Sequence, residues 1–369
     1  MLHAPRMMLA RRSTVMVVGV ILLVACLLPL STPGHAEPGD AGDGTGTTGA
    51  SERTVLEKAG RAKGKKGTRG RKGRKASAPL GKRAMLGAYV DGMTHDPARL
   101  ADFERMVGHR AGVASYYWGY GDVFPGPTEL AFADGGRREV LLSWDMGPTQ
   151  FAEWTAGQHD DYLDTLVAAA ASYPYDVHVR PWPEMNGDWQ SFQPTAPGVS
   201  AREHGGTYRE FKHAWRYVVT YFRSRGADNV KWVFNPTTDV YAQTTHVRRI
   251  WPGRAYVDVL GLDGFNWGSD RSWGRWQSFA KIFGPQYARL TRLHPTAPVW
   301  VCEVGSKEPR VDDGAPRDRR RSKAKWVRQA LRTKRFERVE ALVWFHEDKE
   351  RDWRVNSSRG SLRALRAGL

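Results

Sequence analysis

Two glutamates in this chain stand where reactive carboxylates are wanted. Glu184 lies in RPWPEMNGDW (residues 180 to 189), a polar and aromatic burst directly behind the apolar run DVHV, and Glu303 closes the apolar run VWVC at residues 299 to 302. A pair of carboxylates flanking a sugar is the minimal apparatus for cleaving a glycosidic bond, one acting as acid/base and the other as nucleophile or base. Either glutamate alone is as readily a satisfied ion pair. Their shared setting argues for catalysis: Trp144, Arg180, Asn186, Trp189, Asn235, Asp263, Trp267 and Trp344 also follow or end apolar runs, and indole faces suit the flat apolar faces of pyranose rings. Arg180, four residues before Glu184, is expected to orient a carboxylate rather than touch a sugar. No histidine or cysteine cluster has metal-ligand spacing, so neither a metal nor an organic cofactor is implied.

Those residues need a frame that gathers strand ends. Short apolar runs occur at 85–90, 114–120, 138–145, 176–182, 230–236, 257–265, 299–305 and 341–347, and amphipathic stretches separate them. Leu100, Phe103 and Met106 share one face; Tyr162, Leu163, Leu166 and Val167 share another; Tyr208, Phe211, Trp215, Val218 and Phe222 share a third. The link between the second and third runs is short and glycine-rich, and it reads as irregular. The basic run 316–325 reads as the start of the solvent face of a helix whose buried stripe is Trp326, Val327, Ala330 and Leu331. Eight strands alternating with helices over residues 84–369 predict an α/β fold, the (β/α)8 TIM barrel. In that barrel catalytic groups sit at the carboxyl ends of the strands, and the fourth and seventh strands face each other across the mouth. An open doubly wound sheet is the competitor, but no early strand is followed by a glycine-rich phosphate turn.

Upstream, the chain changes character. Residues 1–36 have a basic start (Arg6, Arg11, Arg12), an apolar stretch from Thr14 to Leu30 and a small-x-small end at Gly34-His35-Ala36, the layout of a secretory signal peptide. The apolar stretch also approaches the length of a membrane anchor, and Leu23-Val24-Ala25-Cys26 is similar to a lipoprotein cleavage box. Residues 37–83 read as a disordered Gly-rich and basic linker: residues 51–83 alone carry thirteen Lys and Arg against Glu52 and Glu57, a large part of the net charge of +17. A secreted monomer is expected, held to an anionic cell-wall polymer or membrane surface through residues 51–83, with a polysaccharide as substrate. Of the two cysteines, Cys26 lies in the export segment and Cys302 reads as a buried core thiol.

The glutamate segment also resembles glycoside hydrolase family 26, in which an arginine opens the motif and Glu-Met-Asn-Gly-x-Trp ends it. Similar blocks follow in the family's order at 207–237, 256–268, 299–306 and 343–358, so the resemblance covers most of residues 85–369. It implies a retaining endo-acting β-glycanase, most often a β-1,4-mannanase, with Glu184 as acid/base, Glu303 as nucleophile, and Asp263, Trp189, Trp144 and Trp344 lining the sugar site. Three positions depart from the pattern. Pro183 stands where the family has histidine, Phe265 where it tends to have tyrosine, and His346 where asparagine is more usual. Proline has no donor and phenylalanine no hydroxyl, so a contact to the sugar and one to the nucleophile are lost or supplied from elsewhere. Two competing classes stay open at this level: a carbohydrate-binding protein on a degenerate hydrolase barrel, and a scaffold whose function resides in residues 51–83.

Overall fold

The computed structural model describes residues 78–369 apart from 188, 196–204, 240–245, 270–273 and 310–315; the expected signal peptide and nearly all of the expected linker lie outside the described residues. Eight parallel strands close into one barrel in sequence order: β1 (Met85–Val90), β2 (Val113–Trp118), β3 (Glu139–Trp144), β4 (Val177–Pro181), β5 (Val230–Phe234), β6 (Val259–Asn266), β7 (Val299–Ser306) and β8 (Val339–His346). A helix follows each strand: α1 (Ala98–Val107), α2 (Pro127–Ala133), α3 (Asp160–Ser172), α4 (Tyr208–Ser224), α5 (Val247–Ile250), α6 (Phe279–Leu293), α7 (Lys323–Arg332) and α8 (Arg359–Arg366). The (β/α)8 expectation therefore holds, strand for strand.

Local chemistry starts the helices. Thr207 and Glu210 form a reciprocal capping box at the head of α4, and Ser278, Ser322 and Ser358 each accept a backbone N–H at the head of α6, α7 and α8. The amphipathic stripe of α4 then buries Tyr208, Phe211, Trp215, Val218 and Phe222 against the sheet.

Three expectations are corrected. The link between β2 and β3 contains α2, whose first turn is fixed by Glu129, a buried carboxylate that accepts from the Gly126 N–H, the Tyr116 hydroxyl and the Trp118 indole. The last four residues assigned to the linker, Leu80–Arg83, form a helical turn. Leu80 is fully buried, and the Arg83 guanidinium donates to the carbonyls of Phe336, Glu337 and Val339. In the basic run, Lys323 is turned inward, where its ammonium donates to the carbonyls of Asp352 and Arg354 and to the Ser357 hydroxyl.

Inside the barrel the side chains form two layers. At the floor Val113, Leu141, Val233, Val259, Trp300, Cys302, Ala341 and Val343 make a separate apolar plug, with the His178 ring lying 4.2 Å from that of Trp300. Cys302 is thus the core thiol its surroundings in sequence suggest, and burial raises its pKa. Above the plug the interior becomes polar, and that second layer is the site.

Candidate active site

A bulge in β7 aims Glu303 inward. Trp300 and Cys302 belong to the plug, so strict alternation would turn Glu303 outward with Val301. The register instead slips: Leu262 of β6 pairs with Val301, yet its neighbour Asp263 pairs with Glu303, and the β8 side shows the same extra residue between Val301 and Val304. Cys302 and Glu303 therefore both point into the barrel, the re-aiming that β-bulges provide near functional sites.

Once inside, Glu303 meets a fully buried cation. Arg180, from β4, donates from one nitrogen to Glu303 Oε1 at 2.6 Å and from another to Asp263 Oδ2 at 2.9 Å. Asn235 Nδ2 donates to the same Asp263 oxygen at 2.6 Å. Gly261 makes room for that contact, because a Cβ there would lie 2.2 Å from Asn235 Oδ1. Burial, and then the charge of Glu303, push the Asp263 pKa up, with Arg180 opposing. The chain Asn235, Asp263, Arg180, Glu303 is thus a continuous polar layer over the apolar plug. The Tyr117 hydroxyl, from β2, completes it by donating to Glu303 Oε1 at 2.7 Å. Among the described residues Glu303 Oε2 accepts no hydrogen bond, so one oxygen is held and the other is available.

Glu184 is presented by a strained turn. Trp182 and Glu184 both have left-handed backbones, at φ 47° and 55°, in a conformation that costs roughly 1–2 kcal/mol for a residue with a side chain. Surrounding contacts hold it there: Trp182 is buried against Phe151, Trp154, Phe211 and Trp215, and the Glu184 N–H donates to the Asn235 carbonyl at 2.9 Å. Asn186 clips the turn to the end of β5, exchanging two hydrogen bonds with the Thr237 backbone. The Trp189 indole folds back over Gly187, where a Cβ would lie 2.7 Å from the ring, and donates to Glu184 Oε2 at 2.9 Å. Burial, then the charges of Glu303 and Asp239, raise the Glu184 pKa to about 8.

The structure sorts the sequence-derived site residues. Glu184, Glu303 and Arg180 share one electrostatic neighbourhood. Trp189, 44% exposed, and Trp267, whose indole donates to both oxygens of Asp239, stand at the mouth. Trp144 and Trp344, expected beside the sugar, are instead fully buried on the outward side of their strands, because Ser143 and Val343 take the inward positions. Trp144 packs against Phe124 and Trp154, and the Trp344 indole donates to the Trp353 carbonyl. Asn186, Asn235 and Asp263, grouped with the substrate contacts, are buried: both amide atoms of Asn186 bond the Thr237 backbone, Asn235 Nδ2 and Arg180 meet Asp263 Oδ2, and Asn235 Oδ1 and Asp263 Oδ1 have no hydrogen-bond partner among the described residues.

The three departures also find their places. Phe265 packs in an aromatic wall with Phe345 and Trp353, and Tyr117 reaches Glu303 from the opposite part of the ring with the hydroxyl that Phe265 lacks. Pro183 is buried in the strained turn, and the polar contact to Glu184 comes from Trp189. His346 accepts the Val355 N–H, and burial lowers its pKa to about 4. Sequence reasoning missed Tyr117 and Asp239. Tyr117 had a signal, since it follows Val113 and Ser115 at the period-two spacing of inward positions. Among the described residues no group of three or more His, Cys, Asp and Glu side chains could hold a metal ion.

A closed parallel barrel with two glutamates and an arginine-centred carboxylate layer at the carboxyl ends of its strands defines the class as a (β/α)8 barrel with its site in the usual place. Within that class, the family model of glycosyl hydrolase family 26 matches residues 162–313 of this chain. Endoglucanase H of Acetivibrio thermocellus is 32% identical over 288 residues, 77% of this chain and 30% of that protein. A mannan endo-1,4-beta-mannosidase of Bacillus subtilis is 34% identical over 90 residues, 24% of this chain and 23% of that protein. The chain thus spans at most 30% of the length of these curated relatives. Among solved structures, the catalytic domain of a Bacillus sp. JAMB-750 endo-beta-1,4-mannanase superposes with a TM-score of 0.55 at 17% identity, covering 78% of this chain and 86% of that one, which is a likeness of fold.

Proposed function

We propose that this protein is a retaining endo-β-glycanase acting on β-1,4-mannan or a related glycan. The observation that carries the reading is the asymmetry of the two glutamates: the Glu184 pKa is raised to about 8, whereas Glu303 is pinned through one oxygen by Arg180 and Tyr117. Glu184 is then protonated at neutral pH and serves as the acid, donating its proton to the leaving glycosidic oxygen as Glu303 Oε2 bonds to the anomeric carbon. In the second step Glu184, now a carboxylate, takes a proton from water, and that water displaces Glu303. Trp189 and Trp267 offer indole faces for sugar stacking at the mouth. Reducing-sugar release from mannan, mixed-linkage glucan and xylan, with Glu303→Ala as control, tests the reading, and a panel with no release above that control overturns it. One observation favours β-glucan as a second substrate: the curated match that covers most of this chain is to a protein named an endoglucanase, although that protein is much longer than the matched region.

The same asymmetry fixes the pH dependence. Glu184 works as an acid only while protonated, so kcat/KM should fall as pH rises through about 8. Asp239, itself raised to about 6 chiefly by burial, is ionised at that pH, and its charge disfavours ionised Glu184. Asp239→Asn should therefore move the alkaline limb to lower pH. A limb that stays in place, or moves up, would remove Asp239 from the acid's field.

Tyr117→Phe deletes one of the two donors to Glu303 and leaves Arg180 in place. At about 1–1.5 kcal/mol for a hydrogen bond to a reacting group, kcat should drop on the order of tenfold with little change in KM. Steady-state kinetics read this directly, and a rise in KM at constant kcat would make Tyr117 a substrate contact instead.

A further inference from the structure

A cavity of about 320 Å³ opens beside the two glutamates and not over them. It begins at Asp239 and Phe265, next to the catalytic layer, and runs outward past Trp267 to the flank of α6. That volume lies within the range of small-molecule sites.

Its outer wall carries three cations, Arg275, Lys281 and Arg289, none of which is ion-paired within the described residues. Arg289 reaches only a neutral group, the Gln286 carbonyl oxygen at 3.3 Å. Gln286 is itself 1% exposed, and its amide nitrogen is buried with no hydrogen-bond partner, although such a group normally finds one. Asp239, the one carboxylate among the described residues of the wall, is already engaged by the Trp267 indole. Among the described residues of this wall the uncommitted charges are all positive and the buried Gln286 amide nitrogen is a donor, while the Thr238 hydroxyl and the Gln277 amide can donate as well as accept, so the ligand that answers them together is an anion.

We propose that this cavity is an accessory binding site for an anionic substituent, the carboxylate of a uronic acid or a phosphate ester, carried by the glycan that lies across the glutamates. The second half of that statement rests on the glycanase reading above, because Asp239 and Phe265 join the cavity to the catalytic layer. The glycan accepted would then be decorated with charge near the point of cleavage, and neutral polymers would lack the contacts of the outer wall.

The test separates the cavity from the catalysis. The full-length chain carrying Glu303→Gln is titrated calorimetrically with glucuronate, glucose 6-phosphate and glucose, alone and with Arg275→Glu or Lys281→Glu added. Both added substitutions lie at exposed positions outside the catalytic layer and should leave hydrolysis of a neutral glycan by the otherwise native enzyme unchanged. The expected result is binding of at least one of the two anions, no saturable binding of glucose, and at least a tenfold loss of anion affinity on either charge reversal; whichever anion binds more tightly identifies the substituent. Affinity that survives both reversals would assign the anion to the basic residues upstream and overturn the proposal, as would equal binding of glucose and glucuronate. Charge-dependent anion binding by a chain that hydrolyses no glycan would keep the site and discard the glycanase reading, whereas hydrolysis without discrimination would do the reverse.

Discussion

Glu303→Ala is expected to lower kcat on polymeric substrate by about 10⁴-fold or more, the scale seen when a covalent nucleophile is removed. The fold should tolerate the change, because Arg180 keeps Asp263 as a buried counterion at 2.9 Å and the β7 bulge is a property of the backbone register. The variant should also betray itself at Glu184. The charge of Glu303 is the second largest cause, after burial, of the raised Glu184 pKa, so its removal should let Glu184 titrate below the native value of about 8. NMR titration of the Glu184 carboxyl in both proteins reads this, and an unchanged value would mean that the two glutamates do not share a field.

The second large effect belongs to Arg180. Its guanidinium is fully buried between Asp263 and Glu303, so Arg180→Met would leave two carboxylates in the barrel with no positive partner. Breaking a buried ion pair in this way costs about 3–5 kcal/mol, far more than the loss of an exposed bridge such as Arg105 with Asp102. Chemical denaturation should show that loss, and activity should fall with it because Glu303 loses its anchor. Adding Asp263→Asn removes one of the stranded charges. The double variant should recover part of the stability and none of the activity. Full recovery of both would make Arg180 a bystander of catalysis.

Much of this was legible in the chain itself. Eight apolar runs marked eight strands because barrel strands are covered on both sides, and their polar endings marked the mouth. What escaped was side-chain direction. Trp144 and Trp344 end or nearly end their strands, as site residues do, yet period-two alternation from Leu141 and Val343 turns them into the helix layer. The reverse happened at Glu303, where alternation alone would point outward and a bulge corrects it; one extra residue in a ladder leaves no mark in composition or periodicity. Asn186, Asn235 and Asp263 show a further limit of the sequence, since polar residues at a strand end look alike whether they face a ligand or each other, and the structure shows that these three bond to the protein through at least one atom each. Only the distances separate those cases. Tyr117 and Asp239 reach the glutamates from loops and strands that carry no motif of their own, so they appear only once the ring is closed.

The central claim is double displacement through Glu303 with Glu184 as the acid. It is tested most directly by following the anomeric proton of the first product by NMR during hydrolysis of a β-linked oligosaccharide by the native enzyme. The account predicts that the β anomer appears first and converts to α only by mutarotation. An α anomer formed first would mean a single inverting displacement, with Glu303 activating water and forming no bond to the sugar, and would contradict the account.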